Sequence, residues 1–213
     1  MLKGSVLGPM VLSGICFFKS KLDFLSEIGV KDSKKLSPKK RSELAKILKK
    51  NCHSHKNVIV RAQEIDQREL KRITLNRLEE VKMVEIINDL KPDIIYIDAA
   101  DVNEERFGIS IKNSLNYIPK KVISKHKADD IYPIVSAGSI IAKDTRDGLI
   151  EELKNTYGNL GSGYPSDART IEFLRSYVKK YKKAPIIARK SWVTTKRIII
   201  EELTSLKITD FLK

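Results

Sequence analysis

The stretch KKVISKHKADDIYPIVSAGSIIAKDTRD, residues 120–147, governs how the rest of the chain is read. It opens around Val122 and Ile123 with the composition of a short strand. A polar turn follows, in which His126 and Lys127 stand next to the carboxylate pair Asp129 and Asp130. The stretch closes as a helix that carries Lys143 and Arg146 within sequence reach of those acids. Acids that meet basic side chains where a strand crosses into a helix suit a divalent metal working on phosphate. Asp–Asp dipeptides also form turns and cap helices. Both readings stand at this point.

Composition bounds the remainder. The chain has 213 residues, of which 41% are hydrophobic, enough for one large domain with a core. Its 41 basic against 27 acidic residues leave a net charge of +14, which favours a polyanionic partner, nucleic acid before membrane. No apolar run reaches the roughly 18 residues of a membrane span. The amino end lacks the charged region, clean apolar block and cleavage site of a signal peptide. Two cysteines, Cys16 and Cys52, make no disulfide framework. A soluble cytoplasmic protein is expected.

In chain order, GSVLGPMVLSGICF (4–17) reads as a glycine-punctuated turn feeding a buried strand over 10–17. Ser37 before Pro38 is an N-cap followed by proline at the first helical position, and Leu44, Ile47 and Leu48 give that helix a narrow apolar stripe. The loop before it, Lys31 to Lys34, sets Ser33 and Lys34 where small donors and a cation can hold a phosphate. Cys52, His53 and His55 cluster, but they are three ligands where a structural zinc site wants four. Residues 57–62 read as a β-branched strand, and 73–90 as a long helix ended by Lys91-Pro92. Residues 93–98 form a nearly continuous apolar run ending in Asp98, the profile of a central strand covered on both faces. An acid at the carboxyl end of such a strand is either a site residue or a cap for the next turn. The helix after the 120–147 stretch is expected to stop at Gly158. In GSGYPSD (161–167), Tyr164 either lies against a sugar–phosphate backbone or packs under its own loop, and Asp167 caps a helix over 168–182. Arg189, Trp192, Lys196 and Arg197 introduce a last helix.

Taken together, the motifs resemble ribonuclease HII, especially its archaeal members. The matching segments are GSVLGPM (4–10), KDSKKLS (31–37), IYIDA (95–99), HKAD (126–129) with YPIVSAGSIIAK (132–143), GSGYPSD (161–167) and RKSW (189–192). They occur in family order over nearly the whole chain. The resemblance implies a ribonuclease H-like α/β fold, a mixed sheet flanked by helices, with a catalytic core over 1–165 and a helical carboxyl-terminal portion over 166–213. It implies a monomeric endonuclease of replication and repair, cutting the RNA strand of RNA–DNA hybrids and single ribonucleotides embedded in duplex DNA. Hydrolysis would use two Mg²⁺ or Mn²⁺ ions and leave a 5′-phosphate. By match to the motifs, Asp98 and Asp129 would be catalytic metal ligands. Lys3, Gly4, Ser33, Lys34 and Lys143 would bind the substrate backbone, and Tyr164 would pack on the nucleotide beside the cut.

In one place the chain departs from the family pattern. The family opens with a strand ending Asp-Glu-Ala-Gly-Arg-Gly. Here Lys3-Gly4 match the last two positions, and Met1 and Leu2 occupy those of Ala-Gly. The two acids would fall before Met1. The favoured expectation is a misplaced start; the alternative is a catalytically impaired protein that binds hybrids without cutting them. Because that strand is central in the family fold, its loss is expected to leave unpaired backbone and an apolar trough. The tail SLKITDFLK (205–213) resembles the sliding-clamp-binding motif of replication enzymes, with Ile208, Phe211 and Leu212 as its apolar plug and serine where the motif has glutamine. The same segment would otherwise dock on its own domain.

Overall fold

The computed structural model describes residues 4–30 and 36–211, with side chains through residue 204. The chain divides into two compact units: Val11–Ile59 with Thr74–Thr145, and the described residues of Leu2–Met10, Val60–Ile73 and Arg146–Lys213. The second unit takes in the expected helical portion 166–213 and adds segments from both earlier regions.

Strand β1 (Met10–Cys16) pairs with β2 (Ser54–Val60), both in the first unit but for the end residues Met10 and Val60. Strand β3 (Ile94–Asp98) pairs in parallel with β4 (Lys121–Lys125), and helix α5 (Glu104–Asn113) makes the crossover between them. The expected α/β arrangement of a small sheet flanked by helices is present, and among the described residues its strands stand as two pairs. Ile95 and Ile97 of β3 pack with Phe107 and Ile111 of α5 and with Ile87 of α4 (Leu75–Leu90). A Cβ on Gly108 of α5 would lie 3.0 Å from the Ser124 Cβ, so this helix sits close on β4.

A second cluster joins Leu25 of α1 (Leu22–Glu27), Leu44, Ala45 and Leu48 of α2 (Pro38–Asn51), and Ala137, Ile140 and Ile141 of α7 (Pro133–Tyr157). Ser37 caps α2 as expected, accepting from the Lys40 N–H. Two glycines admit the helices to β1. A Cβ on Gly14 would lie 2.5 Å from the Ile86 side chain of α4, and one on Gly138 of α7 would lie 3.2 Å from the Ser13 carbonyl.

Two expectations are corrected. β2 starts three residues early, because the His53 N–H donates to the Cys16 carbonyl and the pairing sets the edge, and it ends at Val60 because α3 (Ala62–Leu70) begins there. β3 is buried on alternate residues only: Ile95 and Ile97 face the core while Ile94 is 42% exposed.

The second unit builds its core from Val6, Leu7, Ile150 and Leu160, with Leu174 and Val178 of α8 (Ala168–Tyr181) and Ile198 of α9 (Val193–Phe211). Among the described residues no helix is long and apolar enough to cross a membrane.

Candidate active site

The carboxyl ends of β3 and β4 place the first candidate acids. The parallel register sets Asp98 beside Lys125, and the Ala99 N–H donates to the Lys125 carbonyl. The chain then turns back sharply, with Lys127 in the left-handed region at φ 52°, into the single turn α6 (Ala128–Ile131). Asp98 Oδ1 accepts the Ala128 N–H at 3.2 Å. One hydrogen bond thus ties the acid that ends β3 to the residue preceding Asp129. Asp129 is nearly buried, and its main-chain carbonyl accepts from the Ser136 hydroxyl on α7. Lys143, half-buried, follows Ser136 by seven residues, two helical turns or about 10 Å along the same face.

The supporting turn is held from α5. Glu104 pairs with the Lys125 ammonium and accepts the His126 N–H at 2.9 Å. Those contacts, Lys125 first, hold the Glu104 carboxyl below its ordinary range and raise the lysine's pKa in return. Asp101 is committed to Arg106, which grips both of its carboxylate oxygens at 2.8 and 2.7 Å. Asp130 is exposed on α6. Neither acid joins Asp98 and Asp129, and among the described residues no group of three or more acid, histidine or cysteine side chains is placed to hold a metal ion.

The donor chemistry of Asp98 and Asp129 suits a hard divalent cation. Such an ion is commonly held by one or two carboxylates, with waters and substrate phosphate oxygens completing its roughly six ligands, so these two acids fit a cation. At the other cluster, Cys52 Sγ lies 3.8 Å from His55 Nδ1 while the His53 ring stacks on Phe18.

The remaining candidates among the described residues belong to the second unit. Gly4 is exposed, with nothing within 4 Å of where its Cβ would be, so another backbone can approach it closely. The Gly161–Asp167 loop is tightly held. Thr170 Oγ1 accepts the Gly163 N–H and donates to the Leu160 carbonyl, both at 3.0 Å. Asp167 caps α8 through the Arg169 N–H, as expected, and also accepts the Ser162 N–H at 2.8 Å. The half-buried Tyr164 stacks on Arg146, whose guanidinium carbon is 4.5 Å from the ring centroid. Arg146, read in sequence only as lying within reach of the acids along the chain, is 2% exposed and turned toward this loop. Arg189, read in sequence only as part of a motif, is fully buried and donates through Nε to the Gly8 carbonyl at 3.3 Å. Lys3, Ser33, Lys34 and Leu212 lie outside the described residues, as do the side chains of Ile208 and Phe211.

Comparison with known proteins places this geometry in a class and then in a family. The structure superposes on the crystal structure of ribonuclease H2 from Pyrococcus horikoshii OT3 with a TM-score of 0.89 at 43% identity over 95% of both chains. It matches the RNase HII chain of the PCNA:RNase HII complex from Archaeoglobus fulgidus with a TM-score of 0.80 at 39% identity, covering 88% of each. The fold is that of a type 2 ribonuclease H. A family model described as Ribonuclease HII matches residues 3–195. The Ribonuclease HII of Thermococcus sibiricus is 44% identical over 216 residues, covering 99% of this chain and 95% of the relative. The chain belongs to the ribonuclease HII family, whose members are endonucleases acting on RNA–DNA hybrids.

The cap on α8 has a pH signature. The Arg169 guanidinium first, and then the Ser162 N–H, hold the Asp167 carboxyl well below the usual carboxylate range. A depressed acid stabilises the fold above its unfolded pKa of about 4 and loses that contribution as pH falls toward the folded value. Asp167→Asn should therefore melt a few degrees below the natural chain at neutral pH, and the gap should narrow progressively below about pH 4. Thermal melts across that range check it.

Proposed function

We propose that this chain cuts the RNA strand of RNA–DNA hybrids and single ribonucleotides in duplex DNA with Mg²⁺ or Mn²⁺, and that Asp98 and Asp129 hold the metal. The hydrogen bond from Ala128 to Asp98 carries this reading, because it seats two acids from separate strand ends at adjoining positions. A divalent ion there would supply Lewis-acid stabilisation of the phosphate and an activated water. The chain's own residues bind and orient. Lys143 and the Gly4 backbone, with Lys3, Ser33 and Lys34, hold phosphates. Tyr164 packs on the nucleotide beside the cut. Departure of the 3′ oxygen leaves the phosphate on the 5′ end of the downstream fragment. The 2′-hydroxyl distinguishes the target from its DNA neighbours. The family resemblance also supports action in the cytoplasm, as a monomer.

A second reading is favoured by one observation: among the described residues no group of three or more acid, histidine or cysteine side chains is placed to hold a metal ion, and no described strand joins the β1–β2 pair to the β3–β4 pair. On that reading the 213-residue chain binds hybrids but cuts poorly. Cleavage and binding of a duplex containing one ribonucleotide separate the two. The nuclease reading expects metal-dependent cutting, reduced in Asp98→Asn or Asp129→Asn by more than the roughly hundredfold that even an outer-sphere partner of a metal site costs. Equal cutting by either variant would overturn the assignment of these acids. Binding without cutting would favour the impaired reading, and gain of cutting on adding an Asp-Glu-Ala-Gly segment upstream would reverse it.

The PCNA complex of the Archaeoglobus relative supports a sliding clamp as partner, taken by Ile208, Phe211 and Leu212. Deleting residues 205–213 should abolish clamp binding and leave the melting temperature unchanged. Clamp affinity that survives the deletion would refute it.

A further inference from the structure

We infer that Arg146 is a positioning residue for ribonucleotide recognition, acting through the Tyr164 ring and the Gly163 backbone without itself touching nucleic acid. The inference rests on the reading of Tyr164 and Gly4 as substrate contacts. At 2% exposure, Arg146 has no surface to offer a phosphate. Its Nη2 donates to the Ser162 carbonyl at 2.9 Å, its guanidinium faces the Tyr164 ring, and its Nε is buried without a hydrogen-bond partner. The nearest acid, Asp147, stands 3.7 Å away, a loose pairing. A buried cation so incompletely paired is a poor device for stability, since an apolar side chain of the same volume fills such a place at least as well. Its geometry is specific to the loop instead. A planar cation against one face of a tyrosine fixes the ring's orientation.

The same side chain reaches the Gly4 segment through one residue. A Cβ on Gly163 would come within 2.8 Å of both Arg146 Nη2 and the Leu7 carbonyl, and Gly163 sits in the left-handed region at φ 82°. The Gly163 carbonyl accepts the N–H groups of Val6 and Leu7 at 2.8 and 3.1 Å. The Arg189 N–H in turn donates to the Val6 carbonyl at 2.9 Å. Tyr164 and the backbone leading from Gly4 are therefore parts of one hydrogen-bonded assembly, and Arg146 is the buried group that touches its central glycine. The chemistry it would tune is discrimination of a ribonucleotide from a deoxyribonucleotide, through the orientation of the Tyr164 ring that packs on the nucleotide beside the cut.

The test measures binding of the full chain, without cleavage, to a duplex carrying one ribonucleotide and to its all-DNA counterpart. Arg146→Met, Tyr164→Ala, the double variant and Arg146→Lys are compared with the natural chain. Arg146→Met should cut the preference for the ribonucleotide duplex about tenfold. The double variant should lose no more than Tyr164→Ala alone, since coupled residues are non-additive. Arg146→Lys, which keeps a cation against the ring, should recover part of the preference. Additive losses, or a preference unchanged in a folded Arg146→Met, would overturn the inference. Amide exchange supplies a readout independent of nucleic acid. The Val6 and Leu7 amides should exchange at least tenfold faster in Arg146→Met, and unchanged exchange would overturn the positioning role whatever the substrate. A natural chain that binds both duplexes equally would instead overturn the functional reading beneath it.

Discussion

The hydrogen bond from the Ala128 N–H to Asp98 Oδ1 is the contact on which the acidic centre depends. Strand β3 delivers Asp98 to the edge of the sheet, and strand β4 delivers Asp129 one turn beyond its own end. Neither strand alone brings the two together. A parallel pair sets its carboxyl ends side by side, as the Asp98–Lys125 register shows, and the left-handed Lys127 folds the chain back over that edge. The carboxylate then accepts the N–H that opens α6, a group with no intrahelical partner of its own. The acid that satisfies the turn is thereby held against the residue that precedes Asp129. The rest of the support falls on Glu104, which holds Lys125 and the His126 N–H so that the turn cannot drift.

The second unit meets a different constraint, that of holding the Gly161–Asp167 loop against the segment that follows Gly4. It does so with backbone hydrogen bonds through Gly163 and with side chains, Thr170 and Asp167, that satisfy the loop's own polar groups. Positive φ at Gly161 and Gly163 permits a path that a Cβ would block against Thr170 at the first and Leu7 at the second. Glycine in GSGYP is thus required by close approach within the protein.

Much of this was legible in the sequence. The α2 cap at Ser37, the break of α7 at Gly158, the Asp167 cap and the strand ending in Asp98 all follow from local rules, because each depends on residues within one turn of the position concerned. Other features needed the third dimension. The start of β2 is set by pairing with Cys16, far away in sequence, and its end by a helix with no strong cap. The half-covered state of β3 is a matter of which helix packs on which face, and its unbroken apolar run conceals that. Arg146 needed the structure for a related reason. Three residues after Lys143, it lies most of a turn farther along α7, and its contacts come from the glycine loop beyond the helix. The motif order over 4–192 carried the family.

The central claim is that these two acids form one cation-binding position. The most direct measurement is a titration of the full chain with substoichiometric Mn²⁺, followed by paramagnetic broadening of its backbone amide resonances. Broadening should begin at residues 98–99 and 128–130 and disappear in Asp98→Asn. Broadening centred on residues 52–55, or unchanged in Asp98→Asn, would contradict the account.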